Sequence, residues 1–171
     1  MPKSNLNAKS VITDAWLAKT KKEVLVLKSP KGLKQIYVVP GVKGYLLGTV
    51  NGHKVYAVDA DAVCSKFKQP DFVDGGNSKK WEFIPTQHYW VNGQLNLTSI
   101  RHIVLHEACE ETLMSKLGFS YDKAHRYSNI VEMTFLLELR PELKKFKKQA
   151  EVMIQRLSCN SLIGMLIYQF A

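Results

Sequence analysis

Near Thr98 the apolar residues of this chain change their period, and that change constrains the fold more than any other feature of the sequence. Before it, short runs alternate with a period of two and are broken by Pro, Gly and Asn, the pattern of strands and turns. Residues 23–28, 34–39, 45–50 and 53–58 read as strands, and the last two flank Asn51-Gly52, a strong hairpin signal. Residues 60–67 read as a short helix and 69–77 as a loop rich in turn residues. Residues 81–84 and 89–91 read as short strands around Pro85.

Beyond Thr98 the spacing becomes that of a helix. A first helix is predicted from about Ser99 to Leu117, stopped by Gly118, and a second from Tyr121 to Leu139, capped by Ser120. Pro141 suits the first turn of a third, reaching about Leu157 and followed by a short apolar tail. Strands followed by helices define an α+β chain: an N-terminal antiparallel sheet with hairpins, then a C-terminal helical half.

A chain of 171 residues accommodates one full domain. Residues 23–171 are taken as that domain, and residues 1–22 as a loose basic segment in which Val11–Leu17 allows a helical turn or two. With 46% hydrophobic and 23% charged residues, wholesale disorder is excluded. Met1 to Leu6 lacks the apolar core of a secretory signal, and the run from Leu162 to Phe170 is too short to span a bilayer. Cys64, Cys109 and Cys159 are widely spaced and form no CxxC pair, which supports neither a disulfide framework nor a Cys-rich zinc knuckle. A cytoplasmic protein with no membrane partner is expected.

The net charge of +9 is unevenly placed. Nine lysines face two acids over residues 1–49, and a second basic run covers residues 140–148. A basic exterior attracts nucleic acid or another anion. Lys far outnumbers Arg, however, and bidentate phosphate or base recognition favours Arg, so a solvated Lys-rich surface is the simpler reading.

On a wheel of 100° per residue, Ile103, His106, Glu107, Glu110, Leu113, Met114 and Leu117 fall within a sector of about 120°. Three polar residues therefore lie in the stripe that should face the core. On the second helix His125 and Glu132 lie about 20° apart, beside Phe135, Leu136 and Leu139, with Asn129 adjacent. A connection as short as Gly118–Ser120 should fold the two helices against each other and bring the polar groups together.

Burying several carboxylates costs several kcal/mol each unless something positive compensates, and neither stripe contains Arg or Lys. A divalent cation would compensate, and imidazole with carboxylate is a set that zinc and iron accept, zinc being the first expectation. In this reading His106, Glu110 and His125 are ligands, and Glu132 is a fourth ligand or a group that orients His125. Glu107 is left to act as general base in a hydrolysis. The bland alternative is that these groups pair with one another, with backbone, or with a lysine. His102 lies at the stripe's margin and reads as surface. Asp71 and Asp74 beside Gly75-Gly76 read as a turn, Cys109 as packing, and Trp81 and Trp90 as fillers of the sheet–helix core.

The run from Leu105 through His106, Glu107, Glu110 and Met114, with Gly118, Tyr121-Asp122, Ala124-His125 and Glu132, resembles a family of uncharacterised phage and bacterial proteins. The resemblance extends upstream through Val55–Asp59, Asp71–Gly76 and Phe83–Pro85 to Trp90, covering about residues 52–138. It implies that the motif is a unit and that the origin is a phage, and it implies no substrate. The His106-Glu107 pair is also similar to zinc metallopeptidase helices, which carry His-Glu-x-x-His. Here Glu110 stands in place of the second His.

The leading expectation is thus a metal-dependent hydrolase or metalloprotease-like protein. The alternatives are a non-enzymatic protein that engages nucleic acid or a host partner through its basic surface, and a virion or assembly component with a structural His/Glu cluster.

Overall fold

The computed structural model describes Ala8 and residues 11–139. The third helix expected from Pro141 and the apolar tail after it lie outside the described residues. Helix α1 spans Asp14–Leu25, its first turn capped by Thr13, whose hydroxyl oxygen accepts from the Trp16 N–H. Leu17, Thr20 and Val24 bury its inner face. It runs into residues 23–25, where a strand was expected. The cap and the three-to-four spacing of those buried residues prevail over a short apolar run that is ambiguous between the two periods.

Strands β1 (Gln35–Val39), β2 (Val42–Val50) and β3 (His53–Val58) form an antiparallel meander. Asn51 and Gly52 close the β2–β3 hairpin with φ of 49° and 80°, the left-handed values these two residues tolerate best. Helix α2 (Ala60–Phe67) follows, capped by the Asp59 carboxylate, and then β4 (Gly75–Asn77) and β5 (His88–Asn92). The sheet order is β1-β2-β3-β5-β4.

β5 pairs parallel with β3, so the sheet is mixed and not wholly antiparallel as expected. The connection from β3 is long and contains a helix, and such a crossover returns the chain in the same direction. Residues 81–84, expected as a strand, instead form successive turns, with the Trp81 N–H on the Asn77 carbonyl and the Ile84 N–H on the Trp81 carbonyl.

Helices α3 (Leu97–Leu117) and α4 (Tyr121–Leu139) complete the described chain. One sheet face contributes Val55, Ala57, Tyr89 and Val91 to a core shared with α1 and α3, and α4 closes that core by packing on α3. The other buries Tyr56, Val58, Phe72, Ile84 and Trp90 with residues of α2. Trp90 therefore fills the core on the α2 side of the sheet, and Trp81 packs half-buried at its margin. α3 touches α1, α4, β4 and β5, so every residue from Ile103 to Glu110 is buried, not the inward stripe alone. Among the described residues no helix is long and apolar enough to cross a membrane.

Gly118 ends α3 with φ of 63°, its N–H bonded to the carbonyls of Leu113 and Met114. A Cβ there meets nothing within 4 Å, so the glycine is needed for its backbone conformation alone. Gly118→Ala should therefore destabilise the protein by about 1 kcal/mol, measured from denaturant midpoints. An unchanged midpoint would contradict this account of the turn.

Candidate metal centre

The turn at Gly118 folds α4 back along α3, and the cross-helix contacts run in opposite order, Glu110 meeting His125 and His102 meeting Glu132. Three donor atoms converge at the first of these crossings. His106 Nε2 lies 3.1 Å from His125 Nδ1, His125 Nδ1 lies 3.0 Å from Glu110 Oε2, and Glu110 Oε2 lies 3.4 Å from His106 Nε2. A tetrahedral centre with ligands at about 2.0–2.1 Å has edges of about 3.3 Å. The triangle therefore has the size of one face of such a tetrahedron, and His106, Glu110 and His125 could hold a metal ion.

Glu132 stands behind this group. Its Oε2 accepts from Nδ1 of His106 at 2.8 Å, on the side of the ring opposite the converging nitrogen. Its Oε1 is 2.7 Å from Nδ1 of His102. Of His106 and His125, Glu132 is hydrogen-bonded to His106. His102, read from the sequence as surface, is turned inward by this bond.

Asn77, at the end of β4, is fully buried. Its Nδ2 donates to Glu107 Oε2 at 2.7 Å and to Glu110 Oε1 at 2.9 Å, while its Oδ1 accepts from the N–H groups of Lys79 and Lys80. One amide thus ties the base candidate and a ligand candidate to the edge of the sheet. No local pattern in the sequence marks Asn77, which lies 30 residues before Glu107.

The charges of the metal-free cluster follow from these bonds. Burial disfavours the charged form of His106, but hydrogen bonds to Glu110 and Glu132 outweigh it and raise the imidazole to about 10. Burial likewise opposes ionisation of Glu132, and the bonds from His102 and His106 override it, bringing the carboxyl down to about 2. Glu110 is also burdened by burial, and His106, Asn77 and His125 together hold it below the ordinary carboxylate value. Glu107 goes the other way. Its burial, and then the neighbouring charge of Glu110, lift it well above that value. Without a metal, a proton on His106 takes the place of the cation between Glu110 and Glu132.

The group opens into a cleft of about 440 Å³ between the end of the sheet and the two helices. Asp71 and Asp74 line it without joining the converging triad, as do Trp81 and Asn129. The Lys80 ammonium sits 3.7 Å from the centroid of the Tyr121 ring, which in turn stacks on His125 at 5.2 Å. Cys109 is buried and has no place in the group, in line with a packing role. No protein-family model, no curated protein and no solved structure matches the chain.

Proposed function

We propose that the protein is a metal-dependent hydrolase, with zinc held by His106, Glu110 and His125 and with Glu107 as general base. The observation that carries this reading is the triangle of donors, whose separations of 3.0 to 3.4 Å suit a tetrahedral ion and which faces a cleft wide enough for a substrate. Three protein ligands leave a fourth position free, the pattern of catalytic and not structural zinc. A cation so held acts as a Lewis acid and activates water. Glu107 lines the same cleft and is tied through Asn77 to Glu110, which places a buried carboxylate beside the ligands to accept a proton. Glu132 orients His106.

The test is the metal content of protein purified without tag or chelator. About one zinc per chain is expected. Binding must displace the proton held by His106, so affinity should fall by about tenfold for each unit of pH below about 10. Absence of metal together with failure to take up zinc at pH 8 rules this reading out. Glu132→Gln removes the charge that orients His106 and should weaken zinc binding by about 10–100-fold with the helices intact. An unaltered affinity would leave Glu132 with no part in the site. A protein acting through its basic surface, the alternative reading, is supported by exposed lysines such as Lys31, Lys34 and Lys43, with no built site among the described residues.

A further inference from the structure

His102 supplies no donor to the converging group, yet its ring is largely covered, with 15% of the side chain exposed. It sits one helical turn before His106 on α3, and both rings point Nδ1 at the same carboxylate from α4. Each oxygen of Glu132 takes one ring, Oε1 at 2.7 Å from His102 and Oε2 at 2.8 Å from His106. The terminal torsion of a glutamate is broad, so a carboxylate held by one hydrogen bond still swings about its Cγ–Cδ axis. A second bond to its other oxygen stops that motion. An ionised carboxylate only accepts, so the proton of each imidazole is drawn to Nδ1, which leaves Nε2 of His106 free to face Glu110 and His125.

We infer that His102 is a positioning residue for the metal centre: through Glu132 it fixes the carboxylate plane, and with it the ring orientation and tautomer that His106 offers to the ion. The inference rests on the metal reading above. A neutral imidazole suffices for the role, because one Nδ1–H is all that Glu132 requires from it. If His102 served only to fill space, the shape of its ring would matter and its donor would not.

Cobalt(II) titration of the full chain separates these roles, since the visible bands of the ion report its coordination geometry. His102→Phe keeps the ring and removes the donor. It should keep the helical content of the wild type, bind cobalt on the order of tenfold more weakly and shift the visible bands. His102→Gln keeps an N–H donor and should restore most of the affinity and the wild-type bands. His102→Ala cannot overpack and should behave as His102→Phe does.

Wild-type affinity and bands in His102→Phe and His102→Ala would overturn the inference while leaving the metal site standing. Equal impairment of His102→Gln and His102→Phe would also overturn it, by assigning the effect to packing. So would loss of folding in both His102→Phe and His102→Ala. A wild-type protein that takes up no cobalt would instead remove the metal reading, and this inference with it.

Discussion

Glu107→Gln should bind zinc as the unaltered chain does, melt at a similar temperature, and turn over substrate about 10²–10⁴-fold more slowly. Glu107 follows His106 directly on α3, so its side chain leaves the helix about 100° away and stands outside the donor triangle. It is nonetheless buried, lines the cleft, and receives a 2.7 Å bond from Asn77. Glutamine keeps the volume and an oxygen for that bond, but has no basic carboxylate. In the metal-free protein burial and the charge of Glu110 hold the Glu107 carboxyl well above its usual range, and the burial persists when zinc offsets the charge of Glu110, which favours a base that titrates nearer the working pH. Turnover should accordingly fall on the acid side of neutrality, as Glu107 takes up its proton. A surrogate ester or peptide that the wild type hydrolyses provides the assay, read alongside metal content. Full turnover by Glu107→Gln would end the general-base assignment, and if the metal also proved dispensable the cluster would be a structural staple.

His106→Ala should lose zinc binding and also destabilise the metal-free protein by about 3–5 kcal/mol, the range for breaking a buried charged pair. The Glu110 side chain is only 2% exposed and would keep Asn77 and His125 as its partners, while Glu132 would keep His102 alone. The pH dependence follows from the two shifted groups. His106 is raised from 6.5 to about 10, so its contribution is whole below about pH 6.5 and decays as the pH climbs to 10. Glu132 is lowered from 4.5 to about 2, so its contribution is whole above about pH 4.5 and is lost as the pH falls to 2. The stability gap between wild type and His106→Ala should therefore be widest between about pH 4.5 and 6.5, measured by denaturant unfolding in the presence of chelator. A gap that is flat across pH would mean that His106 contributes packing and no charge. The contrast with Glu107→Gln is diagnostic, because one variant keeps both metal and stability while the other loses the metal and part of its stability.

Several features of this fold were legible before any coordinates, and for a common reason. Gly118 ends α3, Ser120 opens α4, and Asn51-Gly52 turns the hairpin, because each is decided by the dihedral preference or hydrogen-bonding reach of a residue and its near neighbours. The inward placement of His106, Glu107 and Glu110 is equally local, since helical periodicity alone sets their common face. A short link between α3 and α4 then leaves few ways to pack them, and for that reason the approach of His125 to Glu110 could be anticipated.

The features that were misread depend on partners distant in the chain. Residues 23–25 carry apolar positions compatible with either period, and the docking of α1 against α3 and β2 added to the Thr13 cap in favour of the helix. Whether β5 runs parallel or antiparallel to β3 is not written in either strand. It depends on the path of the 29 residues between Val58 and His88, through α2 and around the edge strand β4. The hydrogen bond between Glu132 and His106 likewise depends on how α4 is placed against α3, which the apolar pattern of either helix leaves open.

By itself, then, the sequence determined helices α3 and α4, their shared polar stripe and the donor types available at their crossing, all of which follow from spacing within a few turns of chain. Only the tertiary structure decided that Asn77 ties Glu107 and Glu110 to the sheet and that one carboxylate of α4 serves two imidazoles of α3. Those bonds span 26 to 33 residues, and their geometry is set by how the helices and the sheet pack against each other, a property no local stretch of the chain encodes.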